Sequence, residues 1–150
     1  MSKESGAEAK RHGDAFERAF SHSCRNMALS RMPDGCRVVG KNRLIRVKTS
    51  FDWILTKDGR SAFIDTKTTA LDHLPASALT EHQVEALALH EHYGAIAGYV
   101  IELRPKKSVY FVPAFLLLAC FRGRRRITQG DMAHRYLGSS DNFNPGLIFL

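Results

Sequence analysis

Residues 50–67 read SFDWILTKDGRSAFIDTK, and this stretch decides the fold class. Two runs rich in β-branched and aromatic residues flank Asp58-Gly59, a pair typical of the two-residue turn of a β-hairpin. With these two residues as the turn, Ile54 lies opposite Phe63 in the neighbouring strand. The sequence therefore predicts a hairpin whose register is set by its turn.

The same register sets Asp52 opposite Asp65, where the Cβ atoms of directly opposed residues lie about 5 Å apart. Lys67 follows two residues later and projects from the same face, because strand side chains alternate. Opposed like charges destabilise a sheet, so this pairing indicates a divalent cation between the two carboxylates. Since the ligands are oxygens, we expect Mg²⁺, with Mn²⁺ as a substitute. The alternative is that both carboxylates face solvent and that Lys67 neutralises them.

The sequence before the hairpin predicts one helix and two short strands. Ser5 and Glu8 have the spacing of a capping box, and the apolar residues beyond them recur at helical spacing. This pattern predicts a first helix that ends before Pro33. Two short strands are expected around residues 40–42.

The sequence after the hairpin predicts a loop, a helix, two strands and a further helix. Residues 68–77 are expected to form the loop. Residues 80–83 offer a second capping box, which opens a helix that stops at Gly94. The apolar run 95–103 is expected to pair with residues 108–112, and Pro113 to begin the last helix.

Because the sequence shows no internal repeat and no linker, these elements predict one α/β domain over residues 1–150. The chain is 44% hydrophobic and 25% charged, values typical of a globular protein. We expect a flexible N-terminus over about residues 1–8. A basic tail rich in Gly and Asn is expected from about residue 122.

The formal net charge is +7, and nucleic acid is the commonest partner of such a basic domain. Several basic residues alternate with apolar ones before the hairpin, and three consecutive arginines follow the last helix. Their contacts with phosphates would fix position on a duplex without reading its sequence. The candidate DNA-binding residues are Lys41, Arg43, Arg46, Lys48, Arg124, Arg125 and Arg126.

The chain shows no targeting or membrane pattern. Its first residues, MSKESGAEAKRHGDAFE, are polar and charged, unlike a signal peptide. No stretch approaches the roughly 18 apolar residues that would span a bilayer. The three cysteines have wide and irregular spacings, which do not indicate a disulfide framework. We therefore expect a cytoplasmic protein without a membrane partner.

Asp52, followed 13 residues later by Asp65-Thr66-Lys67, resembles the signature of PD-(D/E)xK nucleases. Within that superfamily, the order of further features is most similar to the RecU-type Holliday junction resolvases. The resemblance covers roughly residues 10 to 125. The similar stretches are GDAFE at 13–17, SFD at 50–52, AFIDTKTT at 62–69, HQVE at 82–85, GAIA at 94–97 and VYFVP at 109–113.

This resemblance implies a restriction-endonuclease-like α/β fold, with a central mixed β-sheet flanked by helices. It also implies an Mg²⁺-dependent endodeoxyribonuclease. The enzyme would resolve four-way DNA junctions by paired symmetric nicks, as a homodimer. Two alternatives remain, namely another nuclease of this superfamily acting on duplex or phage DNA, and a DNA-binding module without catalysis. The family usually has Glu where Asp65 stands. It also has a longer protruding segment than residues 32–49 provide.

The resemblance also implies a role for each residue of the motif. Asp52 and Asp65 would hold the metal, with the backbone carbonyl of Thr66 as a further ligand. Lys67 would orient the attacking water and stabilise charge that develops at the phosphate.

Glu17 and Gln83 are further candidates, each with a structural alternative. Glu17 lies on the apolar side of the first helix, where it could reach the metal directly or through water, or remain a surface carboxylate. Gln83 matches a glutamine of the family pattern and could position Lys67 or water. It could equally be the capping-box partner of Thr80.

Overall fold

The computed structural model describes residues 4–33, 35–39, 41, 43–47 and 49–150, with the backbone alone for residues 35–39 and 44–47. The α-helices are α1 (Gly6–Ser23), α2 (Glu81–His92), α3 (Ala114–Arg122) and α4 (Gln129–Met132). Short 3₁₀ helices cover Ala76–Ala78, Arg104–Lys106, Ala133–Arg135 and Pro145–Phe149. The strands are β1 (Ala28–Arg31), β2 (Gly35–Val39), β3 (Arg43–Val47), β4 (Trp53–Lys57), β5 (Arg60–Thr69), β6 (His73–Leu74), β7 (Ile96–Leu103), β8 (Ser108–Pro113), β9 (Ile127–Thr128), β10 (Tyr136–Ser139) and β11 (Asn142–Phe143).

Seven strands of the described part form one sheet, in the order β1-β4-β5-β7-β8-β10-β11. β5 and β7 are parallel and are connected through α2, whereas the other neighbouring pairs are antiparallel. β2 pairs with β3, and β6 pairs with β9, outside this sheet. The predicted α/β class with a central mixed sheet flanked by helices is confirmed.

The hairpin of β4 and β5 has the predicted register. Asp58 and Gly59 have φ angles of 50° and 74°, the left-handed conformation that a type I′ turn requires at both positions. Ile54 pairs with Phe63, as the sequence predicts. The ladder begins where Trp53 pairs with Ile64, so Asp52 lies immediately outside β4.

The two faces of the sheet have separate apolar cores. Phe16 and Phe20 of α1 pack with Trp53 and Ile64 on one face. On the other face, α2 and α3 cover side chains of β7 and β8, among them Tyr99. Both faces of β7 are buried, which explains its nearly continuous apolar sequence. Asp65 shares the face of Tyr99, because these residues are paired in the parallel register.

The predicted first helix is too long, although its capping box is correct. Ser5 and Glu8 cap each other reciprocally at the start of α1. The helix ends at Ser23, however, and the chain then forms β1 against β4. The strand gives β4 a second neighbour, so the backbone groups on that edge are paired.

The N-terminal residues that the sequence predicts to be flexible include the start of α1 and a contact of Glu4 with Arg104. Glu4 binds the guanidinium of Arg104 through both carboxylate oxygens, at 2.7 and 2.8 Å. This bidentate pair joins the start of the chain to the turn after β7.

Two segments expected to be irregular contain strands. Residues 68–77 include the end of β5 and the strand β6. Beyond residue 122, β10 extends the main sheet from β8 and pairs with β11. Phe143 and Phe149 are buried against the core on the α1 face, because the apolar end of the chain has surface to bury. The segment is therefore part of the fold rather than a tail.

The helix α3 is capped by a side chain of another helix. Pro113 precedes its first residue and, within the described residues, provides no side-chain cap. Instead, the carboxylate of Glu91 on α2 accepts hydrogen bonds from the N–H groups of Ala114 and Phe115, at 3.1 and 3.0 Å. This contact ties α2 to α3.

Across the described residues, none of the helices combines the length and apolar character that crossing a bilayer requires.

Candidate active site

Asp52 is held by backbone contacts on both sides. Its N–H donates to the carbonyl oxygen of Ile64 at 3.1 Å, and its carbonyl oxygen accepts from Met32 N–H at 2.8 Å. The residue is thereby fixed between the end of β1 and the middle of β5. Its carboxyl can meet Asp65 although Asp52 itself lies outside the strand ladder.

Asp65 is fully buried, with 0% of its surface exposed. Lys67 Nζ lies 2.9 Å from its Oδ2 atom. Among the described residues, neither Asp65 oxygen accepts a well-directed hydrogen bond, so the contact with Lys67 is an ion pair. A buried carboxylate with so few donors is costly, because desolvation is not repaid by hydrogen bonds. The alternative in which this carboxylate faces solvent is wrong.

The pKa of Asp52 is raised to about 7. Burial is the largest cause, followed by the close approach of the Asp65 carboxyl and by its negative charge. The positive charges of Lys67 and Arg31 oppose this rise. Asp52 thus meets Asp65 in a place where the charged form of the Asp52 carboxyl is disfavoured.

The donor set fits a divalent cation. Asp52 and Asp65 supply carboxyl oxygens, and a third oxygen is available on Thr66. The carbonyl of Ile64 points towards β4, where it accepts from Asp52 N–H, and carbonyl directions alternate along a strand. The Thr66 carbonyl, two residues after Ile64, therefore points to the same side of β5. At this position the side is not covered by β4, whose pairing with β5 begins at Trp53 and Ile64. Mg²⁺ usually keeps several waters and binds one or two carboxylates, which matches this set.

Tyr99 contacts both Lys67 of β5 and Gln83 of α2. Its hydroxyl donates to Gln83 Oε1 at 3.3 Å, and Lys67 Nζ lies 5.4 Å from its ring centroid. Burial, then the charge of Asp65, raises the pKa of Tyr99, so the phenol remains a donor. Sequence reasoning missed this residue. Its one signal was a tyrosine, with a polar group to satisfy, inside the apolar run of β7.

Gln83 does not form the predicted capping box. Thr80 is the N-cap of α2, but in the described part of the chain its side chain makes no capping hydrogen bond. The Gln83 side chain turns instead to Tyr99, which brings it to the face that carries Asp65 and Lys67.

Glu17 is not brought to the carboxylate pair. Its Oε2 atom lies 2.9 Å from Nη2 of Arg31, and α1 packs on the opposite face of the sheet from Asp65. Over the residues that the structure describes, no three acidic, His or Cys side chains converge as a metal-binding group.

Arg31 also lies over the ring of Trp53, 5.2 Å from its centroid. Sequence reasoning missed Arg31, because the strand that carries it was assigned to the first helix.

The segment before Asp52 is anchored to α2. Ser50 Oγ lies 3.3 Å from His82 Nε2. Phe51 contacts Phe63 and His90 edge-on, with ring centroids 5.0 and 5.5 Å apart. These contacts fix the two residues that precede the carboxyl group.

The basic candidates differ in their surroundings. Lys41 and Arg43 are exposed, whereas Lys48 and the side chain of Arg46 lie outside the described residues. Arg124 and Arg126 are exposed. Arg125 has partners within the fold, because its guanidinium binds both oxygens of Asp131 at 3.1 Å and donates to Cys120 Sγ at 3.2 Å.

Comparison with known proteins gives a likeness in structure. No family model matches the chain. No curated protein matches it in sequence. Among solved structures, the chain is similar to a Holliday junction resolvase from the archaeal hyperthermophile Archaeoglobus fulgidus. The two are 20% identical with a TM-score of 0.49, over 70% of this chain and 75% of that one.

Proposed function

We propose that the chain is a metal-dependent DNA endonuclease whose active site contains Asp52, Asp65 and Lys67. The observation that carries this proposal is the fully buried Asp65 carboxylate, which meets a second carboxyl and a single ammonium. Such a pair costs folding free energy unless a cation is bound. A DNA-binding module without catalysis has no need of buried anions near phosphates.

Asp52, Asp65 and the carbonyl of Thr66 are the groups that would hold the cation. When bound, a divalent cation supplies charge neutralisation at the scissile phosphate and activates water for attack. Asp65 is fixed by its strand, and Asp52 by its contacts with Ile64 and Met32, so the carboxyl groups need little reorganisation.

Lys67 carries a positive charge at the partly exposed edge of the buried pair. Its side chain is 28% exposed while its Nζ atom contacts Asp65. The ammonium can therefore meet a phosphate oxygen or an attacking water from the solvent side. Charge that develops on the phosphate would be stabilised at short range.

The basic surface supports a DNA substrate. The net charge of +7 favours association with a polyanion, and Lys41, Arg43, Arg124 and Arg126 are exposed cations. Because such contacts do not read bases, recognition by the shape of the DNA follows.

For the substrate, we favour four-way DNA junctions cut by paired symmetric nicks, as the sequence motifs imply. Two symmetric nicks need two active sites, so the enzyme would act as a C2 homodimer. Another nuclease activity on linear or phage DNA is the second candidate. Sedimentation of the free protein and of its junction complex tests the dimer.

The test is cleavage of a four-way junction and of a linear duplex of the same sequence, with Mg²⁺, with Mn²⁺ and with EDTA. Cleavage of the junction alone, and with metal alone, is expected. Equal cleavage of both DNAs would replace the resolvase by a general nuclease. Binding without cleavage under any condition would overturn the catalytic proposal.

A matched pair of variants identifies the site in the same assay. Asp65→Asn should remove cleavage, whereas Asp58→Asn should retain it. The control removes a carboxylate from the turn of the same hairpin, where φ is 50° and Asn is well tolerated.

A further inference from the structure

Tyr99 is a fully buried tyrosine that contacts two residues of the proposed site. Its Cα is the register partner of Asp65 across the parallel strands β5 and β7. Its ring lies near the Lys67 ammonium, and its hydroxyl binds Gln83. One rigid side chain therefore joins a residue of β5 to a residue of α2.

We propose that Tyr99 is a positioning residue that fixes the Lys67 ammonium with its ring and the Gln83 amide with its hydroxyl. The inference rests on the proposed nuclease function, since it assigns both neighbours to one reaction. Tyr99 acts through these neighbours and takes no part in bond making or breaking.

The ring limits the freedom of the Lys67 ammonium. A cation within about 6 Å of an aromatic centroid is attracted by the ring, and Lys67 Nζ lies 5.4 Å away. The Asp65 carboxylate attracts the same atom from 2.9 Å. Two attractions act on a flexible four-carbon chain, so its charged end is held in place before substrate arrives.

The hydroxyl determines which end of the Gln83 amide is used. Because the Tyr99 O–H donates, it selects the carbonyl oxygen of the amide as its partner. Both N–H donors of Gln83 then remain for acceptors on the substrate, such as phosphate oxygens. Without the hydroxyl, the amide could turn by 180° and present its oxygen, which repels a phosphate.

The first test compares two tyrosine variants in steady-state cleavage of the four-way junction, which gives kcat and KM. Tyr99→Phe keeps the ring and removes the hydroxyl. Tyr110→Phe is the matched control, because Tyr110 is 3% exposed in the same core and its hydroxyl accepts from Gln129 Nε2 at 2.9 Å. We expect Tyr99→Phe to lower kcat by about tenfold, the value of one hydrogen bond, with KM unchanged. The control should keep both constants, and equal losses in the two variants would overturn the inference.

A double-mutant cycle separates positioning from a general structural effect. In a Gln83→Leu background, Tyr99→Phe should cause no further loss of kcat, because the hydroxyl acts through the missing amide. Tyr99→Leu should still cause a loss in that background, since it also removes the ring beside Lys67. Independent, multiplicative losses for Tyr99→Phe and Gln83→Leu would overturn the proposed connection.

A spectroscopic readout does not depend on cleavage. The side-chain amide signals of Gln83 are identified in a ¹H–¹⁵N spectrum by their loss in Gln83→Leu. These signals should shift in Tyr99→Phe and stay unchanged in Tyr110→Phe. A wild-type protein that cleaves no DNA overturns the proposed function. A cleaving protein whose amide signals are unchanged in Tyr99→Phe overturns the role of Tyr99 alone.

Discussion

Two acidic sites in this chain show opposite ways of placing a carboxylate in a fold. Asp131 accepts from the N–H and hydroxyl of Thr128, at 2.8 and 2.9 Å, and pairs with Arg125. These donors, the Thr128 N–H first, lower the pKa of Asp131. Asp52 and Asp65 meet each other instead, and the pKa of Asp52 is raised to about 7.

The difference indicates which carboxylates serve the fold and which serve a ligand. Asp131 closes a capping box at the start of α4, so its charge is used by groups of its own chain. The Asp65 carboxylate lacks comparable hydrogen-bond donors among the described residues. A bound cation would supply the missing partner.

The largest effect is expected when the buried carboxylate of Asp65 is removed. Asp65→Asn should lower the rate of junction cleavage at least about 1000-fold, which corresponds to about 4 kcal/mol of transition-state stabilisation. Junction binding in EDTA should be retained or tighter, because a negative charge near the phosphates is lost. Asp131→Asn is the control, and single-turnover cleavage with a gel-shift assay measures both. Cleavage by Asp65→Asn at the wild-type rate would remove the site assignment.

The next effect tests whether Lys67 is more than a counter-ion. Lys67→Arg should lose at least about 100-fold in cleavage rate, or about 2.7 kcal/mol. The planar guanidinium can lock onto Asp65 in a bidentate pair that a compact ammonium does not form. Junction binding should change little, since the charge is the same. A wild-type rate at saturating Mg²⁺ would show that Lys67 supplies background charge alone.

Metal binding should distinguish the two acidic sites without any DNA. At about 100 times its dissociation constant, Mg²⁺ should raise the free energy of unfolding of the wild type by about 2.7 kcal/mol. Asp131→Asn should show the same rise, and Asp65→Asn should lose it. Chemical denaturation with and without Mg²⁺ measures this. An equal rise in all three proteins would place the cation elsewhere.

The capping carboxylate should matter for stability and not for cleavage. Asp131→Ala removes the partner of Thr128 and Arg125, and loss of a cap costs about 1 kcal/mol. Its unfolding midpoint in urea should fall while the cleavage rate of the folded protein stays at the wild-type value. A loss of cleavage at full stability would contradict the division into structural and functional carboxylates.

The smallest effect concerns pH in the absence of metal. In the folded protein the pKa of Asp52 is about 7, above its ordinary value of 3.8. The protonated Asp52 carboxyl therefore contributes its full stabilisation of the folded protein below about pH 3.8. This stabilisation is lost as the pH rises through about 7. Asp52→Asn should therefore gain stability relative to wild type as the pH rises from about 5 to about 7, measured by urea unfolding in EDTA. For Asp131→Asn the difference from wild type should stay constant over this window. Its lowered pKa places the change at more acidic pH.

The sequence predicts the hairpin and the placement of its charged side chains because both depend on local rules. The Asp58-Gly59 turn determines the register of β4 and β5, and alternation then places Lys67 on the face of Asp65. Nothing beyond the hairpin is needed for these statements. The burial of Asp65 does need the rest of the fold.

The remaining features depend on contacts between distant parts of the chain. Tyr99 meets Asp65 through the parallel register of β5 and β7, which no turn determines. Helical periodicity places Glu17 near the apolar side of α1, but the pairing with Arg31 depends on β1. That strand has four residues and one half-buried side chain, too little for a periodic signal. The predicted capping box of Thr80 and Gln83 was wrong, because the Gln83 side chain binds the Tyr99 hydroxyl instead.

The cap that Glu91 places on α3 couples the dynamics of two helices. The N–H groups of Ala114 and Phe115 are bonded to a carboxylate 23 and 24 positions earlier in the chain. These two amides are therefore protected against hydrogen exchange by α2, rather than by the helix to which they belong. Their exchange rates therefore report the opening of α2. A partner or ligand that destabilises α2 will increase the exchange rates of these two amides at the start of α3.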